Sequence, residues 1–112
     1  MSQQRSYQLG IDLGTTYTAA AVASNGATHP LQLTPDSHSM PSVVGLREDG
    51  SMLAGEAAMR RALTEPTRVG REFKRRFGDA APIVLGGTRT SAEALTTALL
   101  REVLERATQS EG

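Results

Sequence analysis

The segment Gly10-Ile11-Asp12-Leu13-Gly14-Thr15-Thr16 combines the residue types that bind a phosphate and its metal ion. Gly14 permits a close approach of backbone to a ligand or a positive φ, and successive N–H groups in such a turn form an anion-binding concavity. Thr15 and Thr16 add hydroxyl donors. Asp12 can hold a hydrated Mg²⁺ that bridges phosphates, because Mg²⁺ keeps several waters and takes few carboxylates. An ordinary hairpin turn capped by Asp12 explains the same residues, and residue types alone leave both interpretations open.

A second candidate for phosphate chemistry is Lys74, the only lysine among the 12 basic residues. Arg71, Lys74 and Arg75 are three and four positions apart, which places them on one side of a helix. Lys74 flanks Phe73 and Phe77, and it can extend along their apolar surface into a cleft. An ammonium is a compact point charge, suited to a transferring phosphate and its attacking water. A solvated basic face is the alternative interpretation.

The charge pattern and hydropathy argue against nucleic acid and membrane as partners. Formal net charge is +0, which gives no global attraction to either. The basic residues concentrate between Arg60 and Arg76, but Glu65 and Glu72 intervene and no exposed aromatic platform is evident. No apolar run approaches the roughly 18–20 residues of a transmembrane helix, and the first ten residues lack the apolar region of a secretory signal. We therefore expect a cytoplasmic protein.

Several other kinds of site are excluded by composition. The chain has no Cys, which removes disulfides, thiolate metal sites and cysteine nucleophiles. His29 and His38 are too few for a zinc site, and we expect both at the surface. Ser39 and Ser42 have no nearby base, so no catalytic triad can be assembled. The glycine pattern is neither a Walker A loop nor a G-x-G-x-x-G fingerprint.

The elements around the first candidate are predicted to be antiparallel strands. Alternating apolar residues predict a strand over residues 7–13, and a second strand is expected over 17–23. Asn25-Gly26 is a strong hairpin signal, because both residues tolerate positive φ. A third strand is expected over 28–33, where Pro30 favours an edge or a bulge. The candidate turn then joins the first two strands.

The remainder of the chain is predicted to mix short strands with helices, which gives an α/β protein with an antiparallel opening. Residues 42–46, 52–54 and 83–85 are expected as strands. Helices are expected over 55–63, over 67–77 with Val69, Phe73 and Phe77 as a buried stripe, and over 91–108. Thr90-x-x-Glu93 is a capping box for the last helix. Leu95, Leu99 and Val103 form its apolar stripe, which Leu100 and Leu104 widen.

Five segments in order resemble the seventy-kilodalton heat-shock chaperone family of the DnaK type. GIDLGTTYTAAAV resembles its first phosphate motif, and MPSVV is similar to its T-P-S-V-V strand. LAGEAAMRRALTEP, FKRRFG and SAEALTTALLREVLERA are similar to three of its helical segments. Together the matches cover most of residues 7–109, and five in family order are far more specific than any one.

The resemblance implies a partial actin-like, ribonuclease-H-like ATPase fold that binds ATP or ADP with Mg²⁺. It implies that Asp12 organises the metal shell through water and that Lys74 reaches the γ-phosphate and the attacking water. Arg75 is expected near the nucleotide cleft. The residues expected to wrap the β- and γ-phosphates are Gly14, Thr15, Thr16 and Tyr17.

The sequence departs from the family pattern in three ways. Gly55-Glu56 replaces the usual Gly-Asp, and the stretch between Gly78 and Ser91 is short, so we expect a trimmed small lobe. The family's second phosphate loop, adenosine-binding segment and peptide-binding domain have no counterpart in these 112 residues. We therefore expect an N-terminal part of an ATPase domain, with first-lobe strands over about 7–36 and a small helical lobe over about 37–109. Alone it should bind nucleotide weakly and hydrolyse none.

For the larger protein, the resemblance implies protein folding as the function, with unfolded polypeptide clients and co-chaperones as partners. Exposed strand edges also predict a dimer at high concentration. Alternatives are an actin-like filament protein or a sugar kinase of the same superfold, and a non-catalytic adaptor that docks through its basic helix. Filament relatives share the Asp-Leu-Gly-Thr turn and the Pro-Ser-Val-Val strand, whereas Lys74 and Arg75 favour the chaperone.

Overall fold

Two antiparallel sheets, a β-hairpin, a short helix and a long helix are the main elements of residues 6–111, the part of the chain that the computed structural model describes. The first sheet contains β1 (Gln8–Leu13), β2 (Tyr17–Ser24), β3 (Ala27–Pro30) and β4 (Ser39–Pro41). The second contains β5 (Val43–Leu46), β6 (Met52–Ala54) and β7 (Val69–Arg71). The α/β class with an antiparallel opening is confirmed.

The first sheet is organised around β2, which pairs with all three other strands. On one edge it pairs with β1, from Gln8 opposite Ala23 to Leu13 opposite Thr18. On the other edge it pairs with β4 near its start and with β3 near its end. Alternate side chains of β2 are buried, as expected of a sheet with one face on the core. This pairing fixes the turn between β1 and β2 at one end of the sheet.

The predicted hairpin at Asn25-Gly26 is confirmed. Both residues have positive φ, 53° and 79°, which is the backbone geometry that a two-residue hairpin favours. The strand that follows is shorter than the prediction of residues 28–33, since β3 ends at Pro30. Leu31 and Leu33 lie beyond it with their side chains buried in the core, and the Leu31 N–H still donates to the Ala20 carbonyl oxygen of β2 at 2.9 Å.

The second sheet has β5 at its centre, between β6 and β7. All four residues of β5 are buried, because α1 (Glu56–Arg61) and α2 (Ala92–Glu111) both pack on it. The strands predicted over 42–46 and 52–54 are present as β5 and β6, which pair with each other. The helix predicted over 55–63 is present in its central part, as α1.

The helix predicted over residues 67–77 is wrong. The structure has a 3₁₀ segment over Pro66–Arg68, then β7, then a second 3₁₀ segment over Phe73–Arg76. The free edge of β5 pairs with β7, and tertiary pairing of this kind overrides weak helix propensity. Glu72 then adopts a left-handed conformation, with φ of 52°, which no α-helix accommodates. Phe77 is 46% exposed, so the predicted stripe of three buried residues does not form.

The long C-terminal helix is confirmed as α2, with Leu95, Leu99 and Val103 fully buried. Leu100 and Leu104 are exposed, so they do not widen the buried stripe as predicted. The cap is Ser91 and not the predicted Thr90, since the Ala94 N–H donates to Ser91 Oγ at 3.1 Å.

Before α2, the hairpin of β8 (Ile83–Leu85) and β9 (Thr88–Thr90) confirms the predicted strand over 83–85 and adds a partner. Within residues 6–111, no helix is both long enough and apolar enough to cross a membrane.

Candidate functional site

The turn between β1 and β2 requires glycine at position 14 because of how closely the chain approaches itself. A Cβ at Gly14 would overlap the backbone carbonyl oxygen of Tyr17. The φ of Gly14 is not positive, so a positive φ, one of the two reasons for glycine suggested by the sequence, does not apply. The neighbour is the chain's own backbone, which makes the turn tight before any ligand is present.

Ser42, in the link from β4 to β5, holds two carbonyl groups of this turn. Its hydroxyl donates to the Gly14 carbonyl oxygen at 2.8 Å, and its N–H donates to the Thr16 carbonyl oxygen at 2.8 Å. Thr18 Oγ1 lies 2.8 Å from Ser42 Oγ. Since the single Ser42 proton is donated to Gly14, the Thr18 hydroxyl is the donor in that second contact. Both side chains are buried, Thr18 at 0% exposure and Ser42 at 3%.

Sequence reasoning considered Ser42 only as a nucleophile and missed this role. The available signal was a hydroxyl residue directly before four apolar or small residues of a buried strand, where an unpaired hydroxyl would be costly. Its partner Gly14 is 28 positions away, so the sequence gives no sign of which group it bonds.

The turn also carries hydroxyl groups without hydrogen-bond partners. Within the described part of the chain, the hydroxyls of Thr15, Thr16 and Tyr17 make no hydrogen bond, and Tyr17 is 60% exposed. These three residues line a cavity of about 190 Å³ together with residues that include Ser42, Arg71 and Glu72. The turn therefore has donors available to a ligand.

Lys74 lies against this turn. Its Nζ donates to the Leu13 carbonyl oxygen at 2.6 Å, across 61 positions of sequence. The 3₁₀ segment that carries it is anchored by the buried Phe73, which packs in the core. The left-handed Glu72 precedes that segment and sets its direction away from β7. An ammonium has three protons to donate, so two remain for other acceptors.

The other basic residues near Lys74 differ in their surroundings. Arg75 is exposed, and its guanidinium makes no ion pair or hydrogen bond with any described residue. Arg76 is engaged with Asp79 at 2.9 Å. Arg71, on β7, lines the cavity beside the turn. The structure thus brings Lys74 to the turn, while the predicted basic helix face is replaced by separate side chains.

Asp12 lies on β1, opposite Ala19 of β2, and is exposed. Its carboxylate has no hydrogen bond or ion pair within residues 6–111. The described residues contain no cluster of three or more side chains able to ligate a metal. A single free carboxylate fits Mg²⁺ that is held chiefly by waters and phosphate oxygens, and does not fit a metal ligated by protein alone.

The two histidines are at the surface, as expected. His29 is exposed on β3 with its Nε2 3.4 Å from Glu111 Oε2, and His38 is exposed beside β4.

The pKa of two carboxyls outside the turn, those of Asp49 and Asp79, is lowered. The Ser51 hydroxyl and N–H lower the pKa of Asp49, and the Ala81 N–H, followed by Arg76, lowers that of Asp79.

Fold and site together place Lys74 against a hairpin turn whose hydroxyls have no partner among the described residues. The sequence model described as Hsp70 protein matches residues 8–94, which include both the turn and Lys74. The chain is 33% identical over 99 residues to a chaperone protein DnaK of Endomicrobium trichonymphae and 34% identical over 99 residues to one of Elusimicrobium minutum. The alignment covers 85% of this chain in both cases. The chain belongs to the Hsp70 family.

The comparisons confirm the resemblance read from the five motifs. They support a part of a chaperone ATPase domain with an actin-like lobe, and they do not favour a filament protein, a sugar kinase or an adaptor. Nucleotide binding is the property that this family implies. The chain spans 16% of the length of the DnaK relatives it matches.

Proposed function

We propose that this chain forms one wall of the nucleotide cleft of an ATP-hydrolysing chaperone, with the turn from Gly14 to Tyr17 against the β- and γ-phosphates. The observation that carries the proposal is the contact between Lys74 Nζ and the Leu13 carbonyl oxygen at 2.6 Å. It places an ammonium at the start of a turn whose hydroxyl donors have no partner among the described residues. A phosphate in that position would receive donors from the turn and a positive charge from the side.

Each residue then has a separate task. Thr15, Thr16 and Tyr17 donate to phosphate oxygens, and Lys74 moves from the Leu13 carbonyl to the γ-phosphate and its attacking water. Arg75 adds positive charge near the cleft. Asp12 holds Mg²⁺ through water, and the ion, when bound, neutralises charge on the phosphates.

The wall is insufficient for hydrolysis. Phosphoryl transfer needs positioning and charge stabilisation around the phosphate, and the described residues supply these from one side. A half-cleft also leaves the nucleotide in contact with water, where each electrostatic contact is weak. We therefore propose weak binding of ATP or ADP and no turnover by this chain alone. We propose that ATP hydrolysis requires further parts of the ATPase domain that contact the phosphate from its other sides.

Binding and turnover assays on the purified chain test this proposal. Magnesium-ATP should bind with a dissociation constant near the millimolar range, which corresponds to a binding free energy of about −4 kcal/mol. Lys74→Gln should weaken this binding about tenfold. Arg89→Gln, on the exposed hairpin strand β9, is the matched control for loss of one cation and should bind as the unmodified chain does. Steady ATP hydrolysis that Lys74→Ala abolishes would contradict the proposal, as would equal affinity for Lys74→Gln and the unmodified chain.

The finer predictions about organisation and partners are proposals of the same kind. We assign residues 7–36 to a first lobe and 37–109 to a small lobe, and we propose unfolded polypeptides and co-chaperones as partners of the larger protein in the cytoplasm. A dimer through β1 is supported by its position at the edge of the first sheet, where it pairs with β2 alone among the described strands. Light scattering that shows a strict monomer at high concentration would count against the dimer.

A further inference from the structure

The buried hydroxyl pair of Thr18 and Ser42 is the strongest polar feature that the proposed function does not use. Among the described residues, these two and Thr96 are the polar side chains with less than a tenth of their surface exposed. The contacts run in one direction, from the Thr18 hydroxyl to Ser42 Oγ and from the Ser42 hydroxyl to the Gly14 carbonyl oxygen, each 2.8 Å. A directed chain of buried donors is strong in a low-dielectric interior, and it ends on the backbone of the turn.

The consequence for the turn follows from peptide geometry. A trans peptide unit is planar, and its C=O and N–H point in opposite directions. When Ser42 holds the Gly14 carbonyl inward, the N–H of Thr15 in the same peptide unit must point outward. Within residues 6–111, neither the Thr15 N–H nor the Thr16 N–H has a backbone acceptor, so the outward N–H is available to an anion.

We propose that Ser42 is a positioning residue that aims the Thr15 N–H at the bound phosphate. It sits where the chain passes from β4 of the first sheet to β5 of the second, and its own N–H also holds the Thr16 carbonyl at 2.8 Å. The link between the two sheets thereby holds the conformation of a turn in the first sheet. The inference rests on the proposed function for its ligand, a polyphosphate chain, but the orientation of the peptide unit can be measured without one.

The first test uses the free protein and needs no ligand. The ¹³C resonance of the Gly14 carbonyl and the ¹⁵N resonance of Thr15 report the hydrogen bond at this peptide unit. Both should move in Ser42→Ala, which removes the donor, and should stay close to their original positions in Ser42→Thr, which keeps a hydroxyl. Unchanged resonances in Ser42→Ala would overturn the inference, whether or not the chain binds phosphate.

The second test measures affinity for inorganic tripolyphosphate with Mg²⁺. Ser42→Ala should bind about tenfold more weakly, and Ser42→Thr should restore most of the affinity. Val22→Ala is the control for lost stability, because Val22 is fully buried near the other end of β2, away from the turn. It should bind as the unmodified chain does. Equal weakening in Val22→Ala and Ser42→Ala would overturn the inference, since the effect would then follow stability and not position.

The two tests separate the failure of each idea. If the unmodified chain binds no tripolyphosphate while the Gly14 and Thr15 resonances move in Ser42→Ala, the proposed function fails and the orienting contact stands. If the chain binds and Ser42→Ala binds equally well, the orienting role fails and the proposed function stands.

Discussion

Replacing threonine by valine should have opposite effects on the free energy of unfolding at two buried positions, Thr18 and Thr96. The Thr18 hydroxyl donates to Ser42 Oγ at 2.8 Å, whereas Thr96 Oγ1 is buried and has no hydrogen-bond partner among residues 6–111. Valine has nearly the same shape as threonine and replaces the hydroxyl by a methyl group. In Thr18→Val the lost hydrogen bond should lower the free energy of unfolding by about 1–2 kcal/mol. In Thr96→Val the removal of an unpaired buried hydroxyl should raise it by about 1 kcal/mol.

The two variants should therefore differ by about 2–3 kcal/mol in the free energy of unfolding. Intrinsic propensity does not produce this difference, because both residue types suit a strand and are similar in a helix. Urea denaturation followed by circular dichroism measures it directly, with the slope checked for two-state behaviour. Destabilisation by Thr96→Val, or no change in Thr18→Val, would refute the interpretation of these two hydroxyls.

Three further predictions concern the turn, the segment that carries Lys74 and the surface charges. Gly14→Ala forces the turn to open and should lower the free energy of unfolding, measured by denaturation, by about 1–3 kcal/mol. Gly10→Ala is the control and should fold normally, because a Cβ there meets only an ordinary contact at 4.0 Å. Equal losses of stability in the two variants would contradict the steric explanation. Glu72→Gly should be about 1 kcal/mol more stable than Glu72→Ala, because glycine adopts φ of 52° without the strain that alanine incurs there. The reverse order of stability would count against this explanation. The Ala81 N–H lowers the pKa of Asp79 from its ordinary value of 3.8. The ionised Asp79 carboxylate therefore stabilises the fold above pH 3.8, and this contribution is lost as pH falls through the lower pKa of the folded state. Acid titration of Asp79→Asn should show a shallower loss of stability below about pH 4, and an identical profile would remove this assignment.

Features that depend on local physics were predictable from the sequence. Alternating apolar residues identified β1, Asn25-Gly26 identified the hairpin, and the spacing of Leu95, Leu99 and Val103 identified the buried face of α2. The turn and Lys74 were also singled out in advance, and the structure places them together. Their roles in binding and catalysis stay predictions.

Features that depend on distant partners were not predictable. Residues 67–77 have helical composition, but β7 forms because β5 offers an edge that is more than 20 positions away in sequence. Ser42 was set aside because its value lies in bonds to Gly14 and Thr18, both more than 20 positions away. In each case the partner that determines the structure lies far away in sequence, so the local residue pattern does not reveal it.

The most direct test of the central claim is an amide resonance map of the ¹⁵N-labelled chain titrated with magnesium-ATP. We expect the largest shifts on residues 14–17 and on Lys74, and we expect them to shrink in Lys74→Gln. Saturable shifts that cluster elsewhere, or none at these positions at millimolar nucleotide, would contradict it.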